Sequence, residues 1–398
     1  MGRLIEIQPV PGSGKLVRAE PFGGTLAFRR PEMVVLVDHD FLASVGLRTS
    51  TDKAQAAGPD LLLDPVAPFE AHLTVAHGCD AGCRGCYIDS DVRDPGQVDL
   101  ELWRGVLMKL AELGVYHVAL GAGESTPLES LIALAYTARD LGMTPNLSTS
   151  GRRLTPRLAR KLSVFGRVHL SLDGAAGAAG SVRGRDDFSS SLMALEILRA
   201  YHDRVGVNCV VAGTNCDQLE PLFRLLAGHK VRNVELLRFK PAGRGARIFD
   251  QMAMTAEQGE SFMGRVMRLG RRYRLRLRLD CSFTPMVCAA GISPKRLSRL
   301  GLAGCVGGSW LVSVDWRGRL SGCSFDYENG RASYRDLGRS GVFDHYLNWT
   351  KQAPEPCASC DYLSICRGGC HVVARHVSGS FFAADPGCPL VKKWQERS

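Results

Sequence analysis

The chain has 398 residues, 45% of them hydrophobic and 23% charged, and a formal net charge of +10, a composition suited to a globular enzyme of two or three domains. No apolar run approaches the roughly 20 residues needed to span a bilayer, and the N-terminus MGRLIEIQPVPGSGK lacks the basic cap and apolar block of an export signal, so a cytoplasmic protein with no membrane partner is expected. The positive charge is spread through segments such as RVMRLGRRYRLRLRL (265–279), read as solvated helix faces and not as a nucleic-acid groove.

Residues 1–68 are rich in Gly and Pro and hold one hairpin-like pair, GGTLAF (23–28) and MVVLV (33–37), joined by RRPE. They form an accessory, strand-rich unit. From 69 to 279 short β-branched runs alternate with helical ones. The strands are HLTVA (72–76), YHVALG (116–121), PNLST (145–149), RVHLSLDG (167–174), VGVNCVVAG (205–213) and NVELLRF (233–239), with amphipathic helices between them such as LELWRGVLMKLAEL (100–113). Six strand–helix units in series predict an α/β fold with a parallel sheet and helical crossovers, either an open barrel or a doubly wound sheet, with functional loops at the C-terminal strand ends. Residues 280–398 lose the alternation and hold nine of the fourteen cysteines. A loop-rich segment of that kind is expected to need metal to hold it together. In a reducing compartment, fourteen cysteines favour metal ligation or redox chemistry over disulfides.

The loop after the first of these strands reads HGCDAGCRGCYID and places Cys79, Cys83 and Cys86 at Cys-x3-Cys-x2-Cys spacing, followed by Tyr87. Structural zinc takes four protein ligands, whereas a [4Fe–4S] cube held by three thiolates keeps one iron free for a substrate or cofactor. A zinc site completed by His72 or His77, or three unligated thiols, is the competing reading.

On these residues the sequence resembles the radical S-adenosylmethionine superfamily, over most of 70–275. The resemblance implies a partial (β/α)6 barrel, S-adenosylmethionine on the open iron, and reductive cleavage to a 5′-deoxyadenosyl radical that abstracts hydrogen from substrate, with Tyr87 near the adenine. Further loops fit it in chain order. LGAGES (120–125) stands where the family has Gly-Gly-Glu, and Glu124 can pair with the cofactor ammonium; Ala122 departs mildly from the pattern. STSG (148–151) offers Ser148 and Ser150 to the carboxylate or ribose. LSLDG (170–174) offers Ser171 and Asp173 near the ribose, Arg183 can pair with the cofactor carboxylate, and RFKPAGRG (238–245), beginning at Arg238, resembles the segment that wraps the adenine.

The C-terminal cysteines form a second pattern. Cys305 is followed by Gly318 and Cys323 in Cys-x12-Gly-x4-Cys spacing, then by Cys357, Cys360, Cys366 and Cys370 in CASCDYLSICRGGC, and by Cys388 in DPGCP. Spacing alone leaves zinc and iron–sulfur both open. The ordered set resembles the SPASM domain of peptide- and protein-modifying radical enzymes. It implies two auxiliary [4Fe–4S] clusters, three in all: Cys305, Cys323 and Cys370 on the first, completed by Cys281 or Cys288 or left open, and Cys357, Cys360, Cys366 and Cys388 on the second. Cys209 and Cys216 match nothing and are read as core or surface thiols.

The expected substrate is a ribosomally made peptide, possibly with a leader held by strand addition to the N-terminal unit, and the expected outcome a crosslink, epimerisation or oxidation, with a flavodoxin or ferredoxin as reducing partner. Sulfatase-type maturation fits less well, because those enzymes carry Asp after the cysteine of the Gly-x4-Cys unit and this chain has Ser324. A small-molecule radical dehydrogenase or cofactor-biosynthesis enzyme is the alternative among enzymes, and a zinc-stabilised binding module the alternative of another class.

Overall fold

A computed structural model describes residues 4–6, 15–29, 32–45, 65–94, 96–184 and 187–397. The N-terminal sheet has the antiparallel order β1 (Leu4–Glu6), β2 (Lys15–Glu20), β3 (Gly23–Arg29), β4 (Glu32–Asp38). The expected hairpin is β3 with β4, in register from Gly23 opposite Asp38 to Arg29 opposite Glu32. The short helix α1 (His39–Ser44) follows, its first turn capped by the Asp38 carboxylate, which accepts from the Phe41 N–H at 2.7 Å.

A buried arginine and an apolar cluster of Phe22, Phe69 and Tyr116 join this sheet to the rest. Arg18, fully buried, donates from Nη1 to the carbonyls of Pro68 at 3.0 Å and Gly114 at 2.9 Å, and from Nε to Glu20 at 2.5 Å. Its guanidinium lies 4.5 Å from the Phe69 ring and 5.1 Å from that of Tyr116, so the buried charge meets both a carboxylate and two ring faces.

The main sheet begins at β5 (Glu70–Thr74) and proceeds through α2 (Leu100–Glu112), β6 (His117–Gly121), α3 (Leu128–Asp140), β7 (Thr144–Thr149), α4 (Pro156–Lys161), β8 (Arg167–Ser171), α5 (Gly180–Arg183), α6 (Phe188–Tyr201), β9 (Val205–Val211), α7 (Leu219–Gly228), β10 (Asn233–Arg238), α8 (Phe249–Met252), α9 (Ala256–Arg272) and β11 (Arg276–Leu279). Seven parallel strands, β5 to β11, stand side by side in chain order, one more than the six expected. The extra strand comes from the arginine-rich segment read as helix. α9 stops at Arg272, Arg274 takes φ of +53°, and RLRL then alternates with Leu277 and Leu279 against the core.

Period-2 alternation sorts the two faces of this sheet. Ala71, Leu73, Val118, Leu120, Leu147, Val168, Leu170, Val207, Val234 and Leu236 are buried in one continuous core with Trp103, Leu107 and Leu110 of α2, Leu134 and Ala138 of α3, Leu198 of α6, Phe223 of α7 and Phe262 of α9. Each fully buried Leu or Phe contributes about 1.5–3 kcal/mol relative to exposure. The alternate residues, including Glu70, His72, His117, Asn146, Ser148, His169, Asn208 and Glu235, occupy the opposite, inner face. Apolar packing outside and polar side chains inside give the wall of an open barrel. The sheet does not close, because β11 stands at one edge.

Past β11 the chain forms α10 (Thr284–Ala289), α11 (Pro294–Arg299), β12 (Leu311–Val314), β13 (Arg319–Ser321), β14 (Ala332–Ser333), α12 (Asp344–Leu347), α13 (Leu363–Cys366), α14 (His371–Ser378) and α15 (Pro389–Gln395). β12 pairs in parallel with β5, Leu311 opposite Glu70 and Val314 opposite Leu73, and β13 and β14 add an antiparallel ribbon. The change of character near residue 280 is therefore not a break in the sheet. No helix among the described residues is long and apolar enough to cross a membrane.

Candidate functional site

The three-cysteine loop leaves the C-terminal end of β5 and is gripped from three sides. The Cys79 N–H donates to the Asp91 carbonyl at 3.1 Å and His77 bonds the Ile88 carbonyl at 2.9 Å, closing the loop on itself. Arg244 then clamps it, its Nε donating to the Cys83 carbonyl at 3.0 Å, its Nη1 to the Ser90 carbonyl at 2.7 Å and its backbone N–H to the Cys86 carbonyl at 2.9 Å. From the α5 side the Arg183 carbonyl accepts from the Arg84 N–H at 2.9 Å. Two glycines are required by this crowding. A Cβ on Gly123 would lie 1.9 Å from the Gly78 carbonyl oxygen, and one on Gly243, already at φ +53°, would lie 2.6 Å from the Cys86 oxygen. The glycines of LGAGES and of RFKPAGRG thus let the ends of β6 and β10 press against the cysteine loop from two sides of the sheet.

The expected side chains around it form two networks. Glu124 accepts from the Ser150 N–H at 2.6 Å and lies 3.3 Å from the Thr149 hydroxyl, tying the β6 and β7 ends together, while the buried Ser150 hydroxyl has no hydrogen-bond partner. Ser148 accepts from Asn208 Nδ2 at 3.2 Å, and Asn208 Oδ1 is a second buried atom without one. Ser171 stands opposite Asn208 in the β8–β9 register. Unpartnered buried polar atoms, one past the end of β7 and one on the inner face of β9, cost roughly 1–3 kcal/mol where hydrogen bonding is lost and suit a polar ligand. Asp173 is engaged through both oxygens: it accepts from the Val210 N–H at 2.8 Å and from Arg183 Nε at 2.6 Å. Arg183 in turn has Cys83 among its charged neighbours, and its pKa is raised, burial opposing and Asp173 outweighing it. Tyr87 packs 5.1 Å from Phe325, and burial pushes its hydroxyl up to about 12.

Arg238 does not join this group. Its guanidinium is buried and bidentate on Asp385, 2.6 and 3.1 Å, with the Ser282 carbonyl at 3.2 Å, so the fork is spent on the C-terminal region and not on a cofactor. Neither histidine considered for zinc points to the thiols. His72 bonds Ser324 at 3.0 Å through Nδ1 and faces Glu70 at 3.3 Å through Nε2, and His77 stacks on Trp316 at 4.1 Å.

The C-terminal thiols fall into two sets. Cys305 has Cys281, Cys323 and Cys370 as electrostatic neighbours, and burial pushes all four thiols up, that of Cys281 to about 12. Cys357 neighbours Cys360, Cys366 and Cys388, and these line a small apolar cleft walled by Pro285, Pro356, Leu363, Leu390 and Val391. Cys288 lies in this second set beside Cys366, so of the two cysteines offered for the first set the structure brings only Cys281 to it. Cys209 and Cys216 are buried in the barrel core.

The donor chemistry fits iron–sulfur clusters. All fourteen cysteines are free thiols, and thiols raised by burial ionise when they bind a cation. Among the described residues no three His, Cys, Asp or Glu side chains form a set for one ion; a cube takes each thiolate at a separate iron. Sequence reasoning missed Asn208, Arg244, Lys240 and Phe325. Asn208 carried a signal, a polar residue at an alternating position of VGVNCVV; the others depend on loop packing.

Residues 73–226 match the Radical SAM superfamily, and the chain carries a radical SAM domain, followed by the cysteine pattern described above. Among its relatives are mycofactocin maturase MftC of Mycolicibacterium smegmatis, 29% identical over 82% of this chain and 84% of that protein, and the PqqA peptide cyclase of Bradyrhizobium diazoefficiens, 26% identical over 81% and 86%. The fold is shared with SuiB of Streptococcus suis, solved bound to its precursor peptide SuiA, at a TM-score of 0.69 and 13% identity over 98% of this chain and 100% of that one.

Proposed function

We propose that the protein is a peptide maturase that holds one [4Fe–4S] cluster on Cys79, Cys83 and Cys86, with S-adenosylmethionine at the open iron, and two more in the C-terminal region. When bound, these groups supply an electron and a carbon radical that removes a hydrogen atom from the substrate. The observation that carries the reading is the three-thiol loop at the end of β5, packed at Gly123 and Gly243 against the ends of β6 and β10, in a sheet whose β7 end and β9 carry the unpartnered buried atoms of Ser150 and Asn208.

The chain's own residues bind and orient. Glu124, Ser148, Ser150 and Ser171 present acceptors and hydroxyls to the polar ends of the cofactor, and Tyr87 offers a ring to the adenine. Asp173 holds Arg183 towards the Cys83 side of the loop, where its charge favours a carboxylate. The first C-terminal set is Cys281, Cys305, Cys323 and Cys370, and the second Cys357, Cys360, Cys366 and Cys388. The inner barrel face, lined by His72, His117, Asn146, His169 and Glu235, would receive the peptide. Relatives named as a maturase and a peptide cyclase, and a fold relative solved with its precursor peptide, support a ribosomally made peptide as substrate. The β1–β4 sheet offers an edge for its leader, and a flavodoxin or ferredoxin would supply the electron.

The test is anaerobic reconstitution with iron, sulfide and a reductant, followed by assay for 5′-deoxyadenosine with and without short peptides encoded beside the gene. About twelve irons per chain, cofactor cleavage, and a changed peptide mass support the reading. Cleavage stimulated by a metabolite and never by a peptide would replace it with the small-molecule alternative; zinc in place of iron would remove it.

A further inference from the structure

Lys240 is a buried cation beside the first C-terminal thiol set that the proposed function does not use. It follows the end of β10 by two residues, is 6% exposed, donates from Nζ to the Asp280 carboxylate and to the Arg238 carbonyl at 3.2 Å, and sits 4.3 Å from the Phe325 ring. Cys281 and Cys370 are among its charged neighbours, and Lys240 is in turn a neighbour of Cys323. Three of the four thiols of the first C-terminal set therefore feel one ammonium from which water is excluded. The other charges here are Asp280, whose second oxygen accepts from Ser282 at 2.6 Å, and the Arg238–Asp385 pair. Each cation is paired with one carboxylate, Arg238 with Asp385 and Lys240 with Asp280, but the Lys240 ammonium is the one that neighbours three thiols of the set, so an oriented ammonium–carboxylate pair acts on it.

We propose that Lys240 sets the reduction potential of the cluster held by Cys281, Cys305, Cys323 and Cys370, raising it so that this cluster accepts an electron from the substrate side of the barrel. A thiolate-ligated cluster becomes more negative with each electron gained, so a fixed cation a few ångströms away stabilises its reduced state, and low local dielectric keeps that interaction large. The position fits the direction of transfer. Phe325 touches both Lys240 and, at 5.1 Å, Tyr87 of the three-cysteine loop, so the ammonium lies on the side of the set that faces the barrel site. Lys240 is in this sense a positioning residue that acts through charge. The inference rests on the cluster assignment of the proposed function.

The experiment is an anaerobic redox titration followed by electron paramagnetic resonance, in the full chain with Cys83→Ala to silence the first loop. Lys240→Gln lowers the midpoint of one of the two C-terminal signals and leaves the other in place, Lys240→Arg keeps both, and the double variant Lys240→Met with Asp280→Asn, which strands no buried carboxylate, gives a smaller downward shift than the single one. Iron content measured in parallel separates the failures. A parent protein without C-terminal iron overturns the cluster assignment itself. Full iron with both midpoints unmoved in Lys240→Gln, or in the double variant should the single one fail to assemble, overturns the role of Lys240 alone.

Discussion

The barrel and the C-terminal region are held by different physics. From β5 to β11 a single apolar core runs between strands and helices, and the thiols it contains, Cys209 and Cys216, behave as small hydrophobes. Past residue 280 Phe283, Met286, Val312, Val314, Leu320 and Leu337 still extend that core, but around the C-terminal thiols the buried apolar side chains form only small groups, around Leu297 and Ile365 and around Tyr346, Trp349 and Phe381. One region is organised by periodic patterning, the other by two clusters of buried thiols. The two share a sheet through the β5–β12 pairing and a buried ion pair, Arg238–Asp385. Loss of the C-terminal clusters should therefore leave the barrel folded, whereas loss of the first-loop cluster should leave both regions folded and the enzyme silent.

The sharpest break is Cys83→Ala. Formation of 5′-deoxyadenosine should fall to background, while roughly eight irons per chain and the unfolding transition of the protein remain; retained cleavage would remove the three-thiol loop from the chemistry. Cys360→Ala probes the opposite side. It should lose one cluster and much of the soluble yield, because the cleft containing Pro356, Leu363 and Val391 has little else to close it, with the first-loop signal intact. Unchanged iron in this variant would mean that the second set is not a ligand set.

This asymmetry also explains what could be read from the residues alone. Strand alternation and cysteine spacing are local signals, so the barrel strands, the β3–β4 hairpin and the two cysteine groups were legible. The seventh strand was not, because the helical run of α9 continues in composition through Arg276–Leu279 and only the turn at Arg274 separates them. Arg238 was misjudged for a similar reason: its sequence neighbours belong to the barrel, but its partner, Asp385, is 147 residues away. The choice between Cys281 and Cys288 needed three dimensions too. They lie seven residues apart, with the 3-10 turn Cys281–Phe283 and α10 between them, and they end in different thiol sets.

Arg238→Met tests the seam between the regions. Removing one member of a buried, hydrogen-bonded pair costs about 3–5 kcal/mol because the other charge is stranded, and here Asp385 also holds the Cys370 N–H at 2.9 Å. Limited proteolysis should release the segment after residue 280 while the barrel resists, and the first C-terminal cluster should be lost faster to a chelator. Arg238→Met with Asp385→Leu should recover part of the resistance. An equally stable single variant would show that strand pairing and the shared core hold the seam without the ion pair.

The smallest effect belongs wholly to the barrel. Thr255 caps α9 with a reciprocal box: its hydroxyl accepts from the Gln258 N–H at 3.3 Å, and the Gln258 carboxamide oxygen accepts from the Thr255 N–H at 3.0 Å. The Gln258 side chain also donates to the Gly213 carbonyl at 3.0 Å and to Asp217 at 2.8 Å, joining α9 to the loop after β9. Thr255→Ala removes one half of the box and leaves those bonds, so a loss of about 1 kcal/mol is expected. Because the box joins α9 to the loop after β9 and bonds neither thiol set, the loss should be the same in iron-loaded and iron-free protein when measured by urea denaturation of the barrel transition. A cost that appears only in the loaded form would mean that the barrel and the clusters fold as one unit, and the contrast drawn between them would fail.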